Sequence, residues 1–477
     1  MKIVIVGAGA AGLAMAMRLK RAGHTDFTIV ERSPGIGGTW HDNRYPGAGC
    51  DVPSHLYCFS FAPKADWQHK FARQAEIERY LHDCVEREGL TAHLQLGTEV
   101  HGAAFTDGAW RIRTSRGELI ADVLISGTGQ LNRPRIPALP GQDAFAGTSF
   151  HSARWNHAFD LRGKRVVVIG NGASAAQFVP EIAPQVAHLT VLQRSPAYVF
   201  PRKDRAYRGV EKWLFEHVPG WRRLYRSWIY WNLESRFPAL HQHSWTGKFV
   251  RWTMLRHLRK QVADPALRTR LTPEYPVGCK RIVISDDWYP TLQRDNVSLV
   301  TSAIERVTAD SVITADGAAY AADAIIFATG FDTTSFLAPM QIAGKDGTTL
   351  AARWAAGAEA HRGIAVSGFP NLFLLYGPNT NLGHSSILFM IECQVRYILG
   401  CLDELARRGA RWLDVKHEAM ARSNDELQRE LARTTWAAGC HSWYKTDDGR
   451  ITNNWSGRTT AYWWATRKPN FDELEIS

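Results

Sequence analysis

Phe145-Ala-Gly-Thr-Ser-Phe-His-Ser-Ala-Arg-Trp155 lies between two segments that each have the pattern of a complete dinucleotide-binding unit. The first unit opens the chain with Gly7-Ala-Gly-Ala-Ala-Gly12, and the second contains Gly170-Asn-Gly-Ala-Ser-Ala175. Each motif follows a short apolar run and precedes a helix-forming run, so both predict a strand, a glycine turn and a helix. Two nucleotide sites joined by one short connector favour an enzyme that passes electrons between two bound cofactors.

The first unit has the features of an adenine dinucleotide site. Lys2-Ile-Val-Ile-Val6 predicts a buried parallel strand. Gly7, Gly9 and Gly12 permit a tight turn, a close approach to pyrophosphate and close helix packing. The second predicted strand ends at Glu31, 19 residues after Gly12, where a carboxylate can accept ribose hydroxyls. Because this acid would repel a 2′-phosphate, the site is predicted to take FAD or NAD and not NADP.

The second unit keeps the glycine pattern but changes the residue after the next strand. Gly170, Gly172 and Ala175 follow an apolar strand, and alanine is tolerated at the third position. The strand Leu189-Thr-Val-Leu192 is followed by Gln-Arg-Ser, so Arg194 stands where an acid would bind ribose. Arginine can contact a 2′-phosphate in bidentate fashion, which favours NADPH. The alternative is a solvated arginine at a strand end.

Two further strand ends, Val123-Leu-Ile-Ser-Gly-Thr-Gly129 and Ala324-Ile-Ile-Phe-Ala-Thr-Gly330, are typical of crossings between the domains of two-dinucleotide flavoproteins. The predicted fold class is α/β, with two Rossmann-like dinucleotide-binding domains, one for FAD and one for NADP, and a helical insertion in the NADP domain. The predicted domains are residues 1–145 and 326–477 for FAD and 146–325 for NADP, with the insertion at about 207–270. Residues 37–51 are rich in glycine and aromatic residues, which predicts a loop around a ligand.

The predicted insertion has aromatic residues near helical spacing among arginines and lysines, divided by Pro219-Gly220. These residues are Trp213, Leu214, Trp221, Leu224, Tyr225, Trp228 and Ile229. Such a basic aromatic face could lie on a membrane surface. The favoured interpretation is that it packs against its own protein.

Composition narrows the class of protein. The chain has 477 residues, a net charge of +11 and 18 tryptophans. Its basic residues are spread along the sequence without a nucleic-acid-binding motif, so nucleic acid is not an expected partner. We expect no signal peptide, because residues 2–6 already form a strand, and no membrane span, because no apolar run reaches about 18 residues. The expected location is the cytoplasm.

The cysteines are odd in number and scattered, and no two are spaced as C-x-x-C. They are Cys50, Cys58, Cys84, Cys279, Cys393, Cys401 and Cys440. This pattern argues against a disulfide framework, a zinc or other metal site and a redox-active dithiol. It favours a reducing compartment.

The connector, Phe145-x-Gly147-x-x-x-His151-x-x-x-Trp155, resembles the fingerprint of type I Baeyer–Villiger monooxygenases, in the class B flavoprotein monooxygenase family. Trp155 favours this branch, because related flavin-containing monooxygenases usually carry Tyr or Phe there. The chain departs from the family at Asn156, where Pro or Asp is usual. Further family-like motifs run nearly end to end, at residues 37–51, 127–134, 279–281, 328–332, 377–383 and 440–443.

The resemblance implies two sets of binding residues. The FAD set is Gly7, Gly9, Gly12, Glu31, Thr39, Trp40, His41, Asp42, Asp51, Tyr57, Val100 and Ile387. The NADP set is Gly49, Cys50, Asp51, Gly170, Asn171, Gly172, Ala173, Ser174, Ala175, Gln177, Arg194, Ser195, Lys280, Arg281 and Trp443. It also implies that Arg281 is the catalytic arginine with Asp51 as its carboxylate partner, and that His151 couples domain movement.

The implied reaction inserts one oxygen atom of O₂ beside a ketone carbonyl, by way of a C4a-peroxyflavin, and gives an ester or lactone. A small-molecule ketone or sulfide and O₂ are the expected partners. Two other hypotheses remain. One is a flavin monooxygenase of sulfur or nitrogen, which shares every cofactor motif. The other is an NADPH–flavin reductase that never oxygenates, although the missing C-x-x-C argues against the disulfide reductases.

Overall fold

A computed structural model describes residues 1–440 and 442–477, so His441 of the 440–443 motif lies outside the described residues. The strands, in chain order, are β1 (Ile3–Val6), β2 (Phe27–Val30), β3 (Leu94–Gln95), β4 (Val100–Thr106), β5 (Ala109–Thr114), β6 (Gly117–Ala121), β7 (Val123–Ser126), β8 (Thr148–His151), β9 (Arg165–Ile169), β10 (His188–Leu192), β11 (Val199–Phe200), β12 (Val283–Ile284), β13 (Val297–Val300), β14 (Ile304–Val307), β15 (Ser311–Thr314), β16 (Ala319–Ala321), β17 (Ala324–Phe327), β18 (Gln341–Ala343), β19 (Leu372–Leu374), β20 (Leu413–Val415) and β21 (Leu474–Ile476). The helices are α1 (Ala10–Arg21), α2 (Thr39–Asp42), α3 (Gln74–Arg87), α4 (Ala173–Ile182), α5 (Gly209–His217), α6 (Trp221–Glu234), α7 (Trp245–Gln261), α8 (Pro265–Leu271), α9 (Trp288–Thr291), α10 (Leu350–Arg353), α11 (Ile387–Arg408), α12 (His417–Leu431) and α13 (Thr459–Ala465).

Two parallel sheets organise the molecule. The first has the order β19-β7-β1-β2-β3 and the second the order β13-β10-β9-β17-β8. Every side chain of β1, β7 and β17 is buried, which explains their uninterrupted apolar sequences. Since β19 comes from residues 372–374, the chain returns to the first sheet after building the second. The predicted α/β class with two Rossmann-like units is confirmed.

The prediction that residues 37–51 form only an irregular loop is wrong at four positions. Helix α2 lies inside this segment, and the backbone N–H groups of His41 and Asp42 both donate to the Gly38 carbonyl, each at 2.9 Å. Gly38 has φ +56°, a left-handed conformation in which the chain can reverse into a helical turn. The glycines that indicated a loop therefore also start a helix.

The connector of residues 145–155 is built into the second sheet. Its strand β8 is parallel to β17 and pairs His151 with Phe327. The Trp155 ring lies 5.2 Å from that of Phe150 and 5.2 Å from that of Phe178, in edge-to-face contacts. Packing thus fixes the connector to the second unit.

Residues 209–271 contain helices α5 to α8, with Pro219-Gly220 between α5 and α6. The favoured interpretation of their aromatic face is wrong, because most of its large side chains are exposed to solvent. The exposed set is Trp213, Trp221, Leu224, Trp228, Trp231, Trp245, Phe249 and Trp252, at 39–75% exposure. Helix α6 has two apolar stripes, and only the stripe with Ile229 and Leu233 packs, against Leu56.

Helices α5 and α6 are anchored on the first unit at residues 55–58. The His55 ring is buried, with its centroid 4.1 Å from that of Phe215. Arg226 donates to the carbonyl oxygens of His55, Leu56 and Cys58 at 2.8, 3.2 and 3.0 Å. Burial lowers the pKa of His55 to about 4, with smaller contributions from the nearby arginines. The histidine is therefore neutral in the folded protein at pH 7.

Within the described residues, no helix has both the length and the apolarity needed to cross a membrane.

The buried His55 predicts a loss of stability in mild acid. The unfolded histidine takes up a proton near pH 6.5, whereas the folded one does so only near pH 4. Folding stability contributed by neutral His55 is therefore present above pH 6.5 and is lost as the pH falls towards 4, with a limiting slope of about 1.4 kcal/mol per pH unit. Thermal unfolding of His55→Phe should show a smaller loss between these pH values. His82→Phe, at an exposed position of α3, is the control. Equal pH slopes for His55→Phe and the unaltered protein would contradict the assignment.

Candidate active site

A cleft of about 2490 Å³ is lined by both parallel-sheet units. Its wall includes the residues that follow the strands of both units, among them Gly7 after β1, Glu31 after β2, Gly170 after β9 and Arg194 beyond β10. Ligands of open parallel sheets bind outside the carboxyl ends of the strands. The cleft is therefore where both predicted dinucleotides would meet.

Most of the residues predicted from the sequence line this cleft. From the FAD set these are Gly7, Gly9, Glu31, Thr39, Trp40, Asp42, Asp51, Tyr57, Val100 and Ile387. From the NADP set they are Gly49, Cys50, Asp51, Gly170, Asn171, Gly172, Ala173, Ser174, Gln177, Arg194, Ser195, Lys280, Arg281 and Trp443.

The remaining predicted residues lie behind the wall. A Cβ on Gly12 would sit 1.9 Å from the Gly7 carbonyl oxygen, so this glycine serves helix packing. The His41 ring bonds to the Glu78 carboxylate at 3.0 Å. Ala175 is fully buried beside the second sheet. These three positions support the site from outside it.

The fingerprint residues Phe145, Gly147, His151 and Trp155 do not line the cleft. The Nδ1 atom of His151 accepts from the Ala153 N–H at 3.1 Å, and the ring is buried. Burial lowers the pKa of His151 to about 4, so it is neutral at pH 7. A neutral, enclosed imidazole fits the linker role implied by the resemblance and is poorly suited to donating a proton.

The first glycine turn can receive a pyrophosphate. Gly7 has φ +103°, and a Cβ there would lie 2.8 Å from the Gly127 carbonyl oxygen. Helix α1 begins after Gly9. Within the described residues, no side chain caps this helix start and no acidic residue stands in its first turn. Its first N–H groups and dipole therefore favour an anion. Glu31 braces the turn by accepting from the N–H groups of Ala8 and Ser33, each at 2.8 Å.

The second turn repeats this geometry. Gly170 has φ +111°, a Cβ there would lie 2.5 Å from the Ala328 carbonyl oxygen, and α4 likewise begins without a side-chain cap among the described residues. Asn171 donates to Gln193 at 2.8 Å and to the Ser195 carbonyl at 2.9 Å, so its amide holds the strand end in place.

Gln177 connects the two units. Its Oε1 accepts from the Tyr45 hydroxyl at 2.9 Å, and its Nε2 donates to the Gly49 carbonyl at 2.9 Å. The loop of the first unit is thus held against helix α4 of the second. Gln177 lines the cleft, but these two bonds show that it also sets the spacing between the units.

A cluster of donors stands where the ribose end of the second dinucleotide would lie. The Lys280 ammonium donates to the Ser195 hydroxyl at 2.7 Å. Burial, and then the charge of Arg194, lower the pKa of Lys280. Two cations and a hydroxyl that face the same space fit a phosphate group, which would relieve the repulsion between the cations.

The Arg281 guanidinium bonds to the Asp51 carboxylate on the cleft wall. The charge of Asp51 raises the pKa of Arg281 above its already high value, so this side chain stays cationic at any working pH. Asp51 comes from the first unit, and Arg281 lies between helix α8 and strand β12. Their pairing therefore brings a fixed positive charge to the junction of the two nucleotide sites.

Three contributors to the site were not predicted from the sequence. The phenol groups of Tyr376 and Tyr444 both line the cleft, near Arg281. Burial raises the pKa of Tyr444 to about 12, so its hydroxyl remains a donor. Arg154, inside the fingerprint, forms an ion pair with Asp42 at 3.1 Å and ties the connector to the FAD loop. For the Arg154 contact, the only signal in the sequence was a charged residue within the fingerprint.

The expectation that the cysteines form no disulfide is wrong for one pair. Cys279 and Cys440 are joined, with Cα atoms 6.4 Å apart and a sequence separation of 161. The bond links the segment that carries Lys280 and Arg281 to the segment that carries Trp443. Scattered spacing gave no indication of this pairing, because the fold alone brings the two positions together.

Residues 4–214 match the family model described as pyridine nucleotide-disulphide oxidoreductase. A Baeyer–Villiger monooxygenase of Streptomyces coelicolor is 43% identical over 100% of this chain and 92% of its own length. One from Pseudomonas aeruginosa is 42% identical over 98% of this chain and 90% of its own. The crystal structure of OTEMO in complex with FAD and NADP superposes with a TM-score of 0.89 at 27% identity, covering 100% of this chain and 99% of that one.

These likenesses extend over the whole chain, including both glycine turns, the connector and the Arg281 segment. The fold and the paired nucleotide turns agree with them. The chain belongs to the Baeyer–Villiger monooxygenase family.

Proposed function

We propose that the chain is an FAD- and NADPH-dependent monooxygenase that inserts one oxygen atom of O₂ beside a ketone carbonyl to give an ester or lactone. The other oxygen atom leaves as water. The observation that carries this proposal is the Arg281–Asp51 pair on the wall of a cleft that both nucleotide turns share. NADPH, when bound, supplies the hydride, and FAD supplies the ring that is reduced and then reacts with O₂.

FAD would lie along the first turn, with its pyrophosphate at the N-terminus of α1. Thr39, Trp40 and Asp42 on α2 would contact the FAD, and the Trp40 indole is already held by the Tyr57 hydroxyl at 3.1 Å. The cofactors of the OTEMO structure are FAD and NADP, which supports the same pair here.

Arg281 would hold negative charge in place during oxygen transfer. A guanidinium keeps its proton, so it can stabilise an anion without neutralising it by proton transfer. It can also donate to the carbonyl oxygen of the ketone, where charge develops on attack; one such donor contributes roughly 10²–10³ in rate. Asp51 would orient the guanidinium, leaving its other N–H groups for the substrate.

Arg194, Ser195 and Lys280 would bind the 2′-phosphate that distinguishes NADPH from NADH. The Lys280–Ser195 bond orients both side chains before the nucleotide arrives. Charge repulsion within the cluster is then replaced by charge-assisted hydrogen bonds to the phosphate.

We also propose that sulfides are oxidised in the same cleft, because its wall includes apolar residues such as Phe336, Leu382 and Leu388 that do not select between apolar substrates. The cytoplasm is the proposed location. Free, buried thiols at Cys50, Cys58, Cys84, Cys393 and Cys401 support a reducing compartment, whereas the Cys279–Cys440 disulfide is the feature that an oxidising compartment would favour.

Turnover under ¹⁸O₂ with NADPH tests the function. Cyclic, linear and aryl ketones would be offered beside an aryl methyl sulfide, and the products identified by mass. One labelled oxygen in an ester or lactone is the expected result. Labelled sulfoxide with no ester from any ketone would instead place the chain among heteroatom monooxygenases. Oxidation of NADPH with no labelled product would exclude an oxygenase.

Arg281→Ala should still consume NADPH but should form ester about 10²–10³-fold more slowly, because the charge on the carbonyl oxygen loses its stabilising donor. The measurement is the ratio of ester formed to NADPH consumed. Arg281→Lys keeps the charge without the planar donor set. Its ratio of ester to NADPH should lie between those of the unaltered protein and Arg281→Ala. Arg306→Ala, at an exposed surface pair, is the control. A normal ester ratio in Arg281→Ala would remove this residue from the reaction.

Arg194→Ala should raise the KM for NADPH by roughly 10- to 100-fold, since a charge-assisted hydrogen bond is worth about 1.5–3 kcal/mol. The KM for NADH should change little, because NADH has no 2′-phosphate. Steady-state kinetics with both nucleotides provides the comparison, again with Arg306→Ala as control. Equal changes for the two nucleotides would contradict a contact with the 2′-phosphate.

A further inference from the structure

Helices α5, α6 and α7 each expose an apolar stripe at helical spacing. On α6 the stripe is Trp221, Leu224, Trp228 and Trp231, at intervals of three, four and three residues. On α7 it is Trp245, Phe249 and Trp252, and on α5 it is Val210 and Trp213. Trp228 is 60% exposed and Trp245 is 75% exposed. Helices α5 and α6 contact each other, and α7 contacts the short helical turn of residues 237–240 that follows α6. Their outward tryptophans together give this segment an exposed apolar surface that water does not favour.

The same segment contains most of the net charge of the chain. Residues 207–271 include 13 Lys or Arg and 4 Asp or Glu, which is nine of the eleven net positive charges. Two of the four acids already have partners: Glu211 pairs with Arg205 at 2.6 Å, and buried Glu234 bonds to His384 at 3.1 Å. Exposed bases stand among the tryptophans, including Arg223, Arg259 and Lys260.

We propose that the exposed face of α5, α6 and α7 docks on the surface of an anionic lipid bilayer. Amphipathic helices with Trp and Leu on one face and Lys and Arg around it lie in the plane of the membrane interface. The rings enter the boundary between headgroups and acyl chains, while the long basic side chains extend to lipid phosphates. This role is peripheral and requires no spanning helix.

Charge decides between lipid and the other occupants of an apolar face. In a symmetric dimer the same patch meets itself, so two strongly positive surfaces would have to approach each other. An anionic bilayer offers the opposite charge and an apolar layer together. Nucleic acid offers the charge and flat bases for stacking, but no apolar layer to receive the branched side chains of Val210 and Leu224.

The docking face and the cleft share helix α7. Phe249 is 56% exposed, stacks 5.8 Å from Trp252 and also lines the cleft, as do Val250, Thr253 and Met254 of the same helix. Phe249 thus belongs both to the exposed stripe of α7 and to the cleft wall, so the cleft borders the docking face at this residue. A docked molecule would hold its cleft next to the bilayer, a placement that does not depend on which substrate the cleft accepts.

Sedimentation of the FAD-loaded protein with vesicles tests the docking face. Vesicles of phosphatidylcholine with phosphatidylglycerol should bind at least about ten-fold more protein than vesicles of phosphatidylcholine alone, and salt should weaken this binding. Changing Trp221, Leu224, Trp228 and Trp231 together to Ser should reduce binding about ten-fold. The triple variant Arg223→Glu, Arg259→Glu and Lys260→Glu should also reduce vesicle binding about ten-fold. Trp464→Ser is the matched control, because Trp464 is 64% exposed and lies outside the insertion.

The outcomes separate the possibilities. Loss of vesicle binding in both insertion variants, with normal thermal unfolding and normal binding by Trp464→Ser, supports the proposal. Equal binding to neutral and anionic vesicles, or no binding to either, overturns it. A concentration-dependent dimer that the tryptophan variant abolishes would assign the face to a second copy of the chain. Displacement of bound protein from vesicles by a short single-stranded oligonucleotide, with tighter binding to that oligonucleotide, would assign it to nucleic acid.

Discussion

The structure depends on two places where one backbone passes directly over another. Gly127 crosses the first nucleotide turn at Gly7, and Ala328 crosses the second at Gly170, both too closely for a side chain to intervene. The two crossing segments are also joined to each other: the Arg135 N–H donates to the Gly330 carbonyl at 2.9 Å, and the Asp332 N–H donates to the Arg133 carbonyl at 2.9 Å. Since the crossings adjoin both turns, the backbone that links the units also fixes how far apart the two turns lie.

Cationic groups are then placed from the second unit against the first. Arg281 is held by Asp51, and the disulfide between Cys279 and Cys440 attaches its segment to the C-terminal region. The loop that carries Asp51 is itself held by Gln177 from helix α4. The position of the guanidinium therefore depends on the relative position of the two units, and any rotation between them would move the fixed charge that we propose stabilises the reaction.

The sequence predicted what short-range chemistry determines. The strand, glycine turn and helix of each unit follow from adjacent residues, and α1 begins at Ala10 directly after the predicted glycine turn. Contacts across long separations were not predictable in this way: the Cys279–Cys440 bond closes over 161 residues, and the Asp42–Arg154 pair joins two units. Helical periodicity also failed at α6, because a helix with apolar residues on both faces does not indicate which face is buried.

That ambiguity at α6 has a physical resolution. The stripe with Ile229 and Leu233 packs on the segment around His55, whereas the opposite stripe with Trp221 and Trp228 is largely exposed to solvent. Folding cannot account for the second stripe, since exposed tryptophans add nothing to the core and increase the risk of aggregation. Nor does cofactor binding account for it, because Trp221 and Trp228 do not line the cleft. The concentration of net charge in the same residues gives the stripe a partner of definite chemistry: an apolar layer bordered by negative charge.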